Sequence, residues 1–367
     1  TKIELERVTQ DLDEVVVVGY GTQKKISLTN SISSIEGDKL TKRPVSNTQQ
    51  ALQGLLPGVT VQDLGGKPGQ SAANIRIRGL TTFNTNSSST SGYDLSKNNA
   101  LVIVDGIEQP WSKLNPNDIA SISVLKDAAS TAIYGSRATN GVIIVTTKSA
   151  KSGHVVIDYN GYYALQKSIN TPKQMDAVSY LQLQQDAYRN AGLAVPARFT
   201  DESITAYRTA TDREKYPLPN TWFDTLLKTA PQQDHALSFA GGNDILRSRL
   251  AVRYNKQDGI IDHYGAELAD IRLNNDYKAS SWLNFTGSIN YRYSKAAEAG
   301  RDPMNNFLHG SMWMVPKYDD GTYGLSTKGN NPLMLIEKSG FKKVNENYLS
   351  SIVKTDIQSW RNLLFTS

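Results

Sequence analysis

From residue 154 onward, apolar and polar residues alternate over long stretches. Val155, Ile157, Tyr159, Tyr163 and Leu165 take odd positions, while Asp158, Asn160 and Gln166 take even ones. Leu250, Val252 and Tyr254 alternate with Arg249, Arg253 and Asn255, and Ile271 and Leu273 with Asp270, Arg272 and Asn274. Leu283, Phe285, Ile289, Tyr291 and Tyr293 alternate with Asn284, Thr286, Ser288, Asn290 and Arg292. A period of two sends neighbouring side chains to opposite faces of an extended strand, so each stretch is a strand with one apolar and one polar face. A soluble sandwich alternates as well. What points to a membrane wall is the strand length of about ten residues, the span of a tilted membrane strand, together with the connections. A long insert (167–234) follows the first strand; tight turns fall at 241–244 and 278–281; the third strand returns through 259–264; a second long insert covers 294–347. Short turns on one side and long loops on the other is the pattern of an outer-membrane barrel. Val252 is then expected to face lipid and Arg253 the lumen, which makes Arg253→Leu the milder of two polarity swaps. With closing strands at 348–358 and 361–366, about seven strands are expected. Plugged barrels close with about 22, so the chain is expected to be part of a longer polypeptide.

Residues 1–150 have a different character. The stretch 122–148 contains two β-branched strands joined by a short helix. Asp127 is placed to cap that helix, Ala128, Ala129 and Ala132 offer a thin face for close packing, and Gly135 stands at the expected C′ position. Before it, 31–35, 59–61, 75–77 and 101–104 read as strands, and Ser46 or Asn47 can cap a short helix through Ala51 and Leu52. Asn115 and Pro116 form a helix-start signal. Arg76 and Arg78 share one face of a strand, either solvated or in contact with another surface. The tract 81–99 is polar and of low complexity, and reads as a loop. Val15, Val16, Val17 and Val18, preceded by Asp13 and Glu14, favour an extended chain. A buried strand and an exposed docking segment are both compatible with them. A dinucleotide fingerprint is not, because Lys24 stands where its third glycine would be.

Composition excludes more than it selects. Forty basic against 35 acidic residues make no electrostatic case for nucleic acid. No cysteine is present, so disulfides and thiol chemistry are excluded. Tyrosines (18) outnumber phenylalanines (8), which suits polar–apolar boundaries. The first residues are not a signal peptide, so an exported protein would begin upstream of them. His154, His235, His263 and His309 have no metal-ligand spacing and read as structural or surface residues, and no catalytic motif is found. No metal, cofactor or enzymatic activity is expected.

Val124-Leu125-Lys126-Asp127-Ala128, followed by Ala132-Ile133-Tyr134-Gly135-Ser136-Arg137-Ala138-Thr139-Asn140-Gly141-Val142-Ile143, resembles the plug signature of SusC/RagA-type TonB-dependent outer-membrane transporters. The pieces 51–54, 57–59, 75–79 and 101–106 follow the same family's pattern in order. The resemblance implies an α+β plug domain (27–150) followed by an antiparallel transmembrane β-barrel (151–367). It makes 1–11 the tail of a preceding small β-domain, and 12–26 a Ton box with its linker. It implies that Asp13, Glu14, Val15, Val16, Val17 and Val18 pair as a strand with TonB, the energy-coupling protein. It assigns plug–barrel contacts to Arg76, Arg78 and Arg137, and a loop facing substrate to Thr82, Asn84, Asn86 and Tyr93. The implied partners are TonB, a SusD-like surface lipoprotein, outer-membrane lipid and an oligosaccharide or peptide substrate, with no nucleic acid. The alternatives are a TonB-dependent signalling receptor with an extra N-terminal domain, or a soluble β-rich glycan-binding or adhesion module.

Overall fold

The structure, a computed structural model, describes residues 15–18, 21–24, 32–43, 48–63, 66–69, 73–77, 79, 99–171, 175–216, 221–304, 306, 315–324, 331–358 and 364–366. Its first strands, β1 (Val15–Val18) and β2 (Gly21–Lys24), form an antiparallel hairpin paired with no other strand. Next come β3 (Ile32–Glu36), β4 (Val59–Asp63), β5 (Ala73–Ile77), β6 (Leu101–Val104), β7 (Ile107–Glu108), β8 (Ile119–Leu125) and β9 (Val142–Thr147). Five of them make a mixed sheet in the order β3-β8-β9-β6-β7, in which β6 and β9 run parallel, while β4 and β5 form a separate hairpin.

The central strand β9 shows why this sheet forms. Ile143 and Val145 join a core on one face with Ile35, Leu52, Ile75, Ile119 and Ile122, and Val142 and Ile144 join a smaller core on the other with Leu101, Ile103 and Leu125. A strand covered on both faces reads as a continuous apolar run rather than as alternation. At the β6–β7 turn, Asp105 (φ 51°) and Gly106 (φ 95°) adopt the left-handed conformation that a two-residue hairpin needs. The Asp105 carboxylate then accepts from Thr147 N (2.9 Å) and Oγ1 (2.7 Å), tying the turn to the end of β9.

The helices depart from expectation in detail. Asp127 caps α2 (Ala128–Thr131) by accepting from Ser130 N at 2.8 Å, but that helix is one turn long and passes into a 3-10 stretch kinked at Gly135 (φ 67°). Ala128, Ala129 and Ala132 are exposed, whereas Thr131 and Ala138 are buried. The first helix, α1, is Thr48–Ala51, and its expected caps at 46 and 47 lie outside the described residues.

Seven antiparallel strands follow in simple sequential order: β10 (Gly153–Gln166), β11 (Ala230–Gly242), β12 (Leu246–Asp258), β13 (Gly265–Lys278), β14 (Leu283–Ala299), β15 (Phe341–Gln358) and β16 (Leu364–Thr366). The first six of these have 13 to 18 residues, longer than expected. The apolar outer face of β14 does end near ten residues, at Tyr293, but backbone pairing continues past it to Ala299. Ladder hydrogen bonds do not stop where the apolar face stops, so the second insert shrinks to 300–340. Leu250, Val252, Ile271, Ile289, Tyr291, Leu349 and Val353 lie exposed on one face, and Arg249, Arg253, Asp270, Arg272, Asn290 and Arg292 lie buried on the other.

The first insert carries α3 (Ala177–Asn190), α4 (Asp201–Thr209) and α5 (Thr221–Leu226). Asp176 caps α3, accepting from Ser179 N at 2.8 Å; the insert's sequence predicts that cap at Thr171, with Pro172 at N1 and Gly192 after the helix. The loops at this end pack on one another. Trp222, Phe223 and Leu226 of α5 meet Ile261 of the 259–264 loop, and Leu333 and Ile336 of α6 (Pro332–Lys338). Among the described residues no helix is long and apolar enough to cross a membrane, which says nothing of strands.

Candidate functional site

The α/β domain is seated against the polar face of the seven-stranded sheet, and its segment 109–118 contacts that sheet through Gln109, Ser112, Lys113, Asn117 and Asp118. Two short turns shape this segment. The first is a 3-10 turn at Trp111–Lys113 whose Trp111 and Leu114 enter the main core. The second, Pro116–Asp118, is capped by Asn115, whose side chain accepts from Asn117 N at 3.0 Å. The helix start read from Asn115 and Pro116 therefore yields a single turn. The run Ile119-Ala-Ser-Ile-Ser-Val-Leu, rich in β-branched residues, takes the chain into β8 instead.

Asp118 is the centre of the seam. Its backbone N–H donates to Asn115 O and its carbonyl accepts from Lys148 N. Its carboxylate is buried, takes a hydrogen bond from Asn115 Nδ2 (3.2 Å), and lies 2.9 Å from Arg249 Nη1 and 3.6 Å from Arg272 Nε. Around it Arg292 donates to Ser112 O, Asn274 donates to Lys148 O (2.8 Å), and Asn160 donates to Asn117 Oδ1 (2.8 Å). Lys113 pairs with Glu346 at 2.5 Å. Among the described residues two further buried ion pairs are internal to the sheet: Arg253 with Asp234 (2.5 Å) and Arg292 with Asp270 (2.5 Å). Buried charges require this pairing, because each unpaired one keeps several kcal/mol of desolvation cost. Beside Asp118 is a polar cavity of about 400 Å³, lined among others by Asp38, Lys42, Lys148, Asp158 and Arg249.

The tip of the β4–β5 hairpin docks at the opposite end, near the long loops. Gly69 (φ +74°) approaches so closely that an added Cβ would fall 2.8 Å from Ala266 Cβ and 3.2 Å from Ala296 Cβ. Lys67 pairs there with Asp302 (2.9 Å) and Glu298 (3.5 Å). The hydrogen bond to Asp302 raises the Lys67 amine above its ordinary range. Burial pushes the Asp302 carboxyl up, but the hydrogen bonds from Lys67 and from Met304 N–H, together with the Lys67 charge, hold it below its ordinary range.

The residues singled out in the sequence are distributed differently. Arg76 donates to Gln62 Oε1 (2.7 Å) across the β4–β5 hairpin. Arg137 pairs with Glu108 (2.6 Å) at an exposed position on the α/β domain. Neither has an ion pair with the sheet among the described residues, and Arg78 lies outside them, as do Thr82, Asn84, Asn86 and Tyr93. Val15, Val16, Val17 and Val18 are extended as expected, paired with residues 21–24, while Asp13 and Glu14 lie outside the described residues. Sequence reasoning missed Asp118, Arg249 and Arg272. A usable signal existed: the inward positions of β12 to β14 carry five arginines (Arg247, Arg249, Arg253, Arg272 and Arg292), more charge than a solvated face needs.

A folded domain docked through charge onto the polar face of an apolar-backed, sequential antiparallel sheet is the arrangement of a plug seated against part of a β-barrel wall. Residues 24–142 match the family model described as TonB-dependent Receptor Plug Domain. The chain is 37% identical over 289 residues to TonB-dependent receptor P26 of Formosa agariphila, an alignment covering 77% of this chain and 27% of that protein. It is 35% identical over 298 residues to TonB-dependent receptor SusC of Bacteroides thetaiotaomicron, covering 77% and 24%. Among solved structures it is similar to a chain of the RagAB peptide importer in its open-open state, with a TM-score of 0.74 at 23% identity, covering 96% of this chain and 41% of that one. The chain belongs to the SusC/RagA-type TonB-dependent receptors, and it spans about a quarter of the length of these two curated relatives.

Proposed function

We propose that this chain supplies the plug and part of the wall of a transporter that imports an oligosaccharide or peptide across the outer membrane, driven by TonB. Residues 27–150 act as the plug, and residues 151–367 contribute wall strands. TonB engages residues 13–18, a pull there unseats the segment around Asp118, and a path opens between plug and wall. A SusD-like lipoprotein sits over the long-loop end. The carrying observation is the polar seam: Asp118 between Arg249 and Arg272, with Arg292 on Ser112 O. A seam built from ion pairs and hydrogen bonds can be rehydrated without exposing apolar surface, so it can open and reseal.

The test is Val16→Pro in the transporter carrying this chain. Proline removes a backbone donor and fixes φ, so strand pairing at residue 16 fails. Val16→Ile keeps a β-branched residue and is expected to be silent. Val16→Pro cells should hold normal amounts of protein in the membrane and bind cargo normally, while energised uptake is lost. Normal uptake, or loss of the protein from the membrane, would show that residues 13–18 are a structural strand.

A further inference from the structure

The four buried arginines of the wall are not equivalent. Arg253 and Arg292 have carboxylate partners within the sheet, Asp234 and Asp270. Arg249 and Arg272 have none there among the described residues, and share one carboxylate, Asp118, which belongs to the plug. Two guanidiniums thus face one anion that is theirs only while the plug is seated. The pairing register makes Arg249 and Arg272 diagonal neighbours, since Leu250 pairs with Leu273 and Ala251 with Arg272. Asn290 lies directly across from Arg272 on the next strand. Two donors in this group lack an acceptor despite being buried: Arg272 Nε and Asn290 Nδ2. Nε is 3.6 Å from Asp118, close enough for attraction and too far for a hydrogen bond. The group is therefore short of both negative charge and acceptor atoms even in the seated state, and the polar cavity beside Arg249 and Asp118 gives it room.

We propose that Arg249, Arg272 and Asn290 form an anion station on the lumen wall, filled by Asp118 when the plug is seated and by an anionic group of the cargo when it is not. This rests on the reading that the plug yields inside the barrel. Guanidinium presents paired donors in a planar fork that matches a carboxylate or sulfate. Withdrawal of Asp118 leaves two unpaired cations facing the path, and an anion arriving there restores the pairing. A ligand biases a two-state device only by binding one state better. Anionic cargo meets that condition, because Asp118 competes for the two guanidiniums only while the plug is seated, whereas neutral cargo gains nothing at these residues. The cargo class assigned is an oligomer bearing carboxylate or sulfate groups.

The test variant is Arg249→Gln with Arg272→Gln and Asp118→Asn together, so that the seam stays hydrogen-bonded and no charge is stranded. Uptake by energised cells is compared for size-matched neutral and uronic-acid oligosaccharides, and for neutral and glutamate-rich peptides, which separates the two sources of carboxylate. The wild type should favour the acidic member of one pair, and in the triple variant the ratio of acidic to neutral uptake should fall by about tenfold, with membrane levels kept. A second readout needs no TonB: the reversal potential across a planar bilayer under a KCl gradient, with the plug loosened by urea. The wild-type lumen should pass chloride in preference to the variant lumen. An unchanged reversal potential overturns the station whatever the uptake result. Uptake that survives Val16→Pro overturns the reading that TonB engages residues 13–18, while leaving the chloride measurement to judge the station.

Discussion

Val104, Ile119, Ile122 and Val124 in the plug, and Arg253, Asp270, Arg272 and Arg292 in the wall, are all 3% exposed or less, yet they share no chemistry. The plug is a soluble-type domain whose cohesion comes from apolar surface hidden in its middle. The wall is turned inside out. Its apolar side chains stand on the outer face, its backbone is satisfied strand to strand, and its inner face needs no apolar contact to hold together. Where the two meet, the wall sets the terms: the plug presents Asp118, Asn117, Ser112 and Lys113 rather than its core residues. Each body can thus keep its fold while the seam between them is exchanged for water.

That contrast predicts where damage is greatest. Arg253→Leu places an apolar side chain on the inner face and leaves Asp234 buried with, among the described residues, only the Asn255 side chain donating to its carboxylate. Breaking a buried pair in this way costs about 3–5 kcal/mol. Sequence alone ranked Arg253→Leu as the milder change, because it identified the lumen face without revealing that the face is closed by paired charge. Denaturant unfolding in detergent should show the loss, and adding Asp234→Leu should restore a good part of it. No recovery in the double variant would mean that the wall does not depend on this pairing.

Ile122→Ala strikes the other kind of interior. Ile122 is fully buried on β8, and such a truncation costs about 2–5 kcal/mol through lost burial and a residual cavity. The loss should appear in the plug alone: protease should cut residues 32–148 at lower temperature while the wall remains resistant. Parallel loss of both would show that plug and wall unfold as one unit. Val252→Arg probes the outer face. It puts a charge where hydrocarbon is expected, at about 2–4 kcal/mol near the midplane, and is measured by folding into lipid vesicles. A negligible cost would place Val252 outside the apolar band.

The same contrast explains what could be read in advance. Strand number, side-chain facing and the tight turns of the wall were legible because period-two alternation carries them directly, as Val252 and Arg253 show. The plug sheet was legible as separate strands but not in its order, since β6 pairs with β9 across 37 residues of intervening chain, 105–141. The helices misled because Asp127 and Asn115 cap local turns wherever they occur, and how far a helix runs beyond its cap depends on tertiary packing. The seam was the least legible part. Asp118 reads as one acidic residue among 35 acidic ones, and only the fold brings Arg249, 131 residues later, to 2.9 Å from it. Arg76 and Arg137 stood in the recognisable motifs, but their visible partners, Gln62 and Glu108, lie within the plug itself.

The smallest expected effect concerns the outer tether. Lys67 and Asp302 are both partly exposed, and a pair of this kind contributes at most about 1 kcal/mol. It should therefore govern the position of the hairpin tip without affecting global stability. The sign follows from Asp302, whose carboxyl is held below its ordinary value of 3.8. A depressed carboxylate contributes while ionised, so the tether is intact at neutral pH and is lost as pH falls through that depressed value. The raised Lys67 amine stays charged throughout this window and adds no transition there. The chain has no cysteine of its own, and an added Cβ at Gly66 meets nothing within 4 Å, so a nitroxide on Gly66→Cys reports the tip cleanly. Its spectrum should be immobilised at pH 7 and become freer only as the pH falls below the ordinary carboxyl value of 3.8, and Asp302→Asn should already loosen it at pH 7, where Glu298 at 3.5 Å is left as the weaker partner of Lys67. If the label is equally immobile in Asp302→Asn, the tip is held by the contact of Gly69 with Ala266 and Ala296, and the ion pair is incidental.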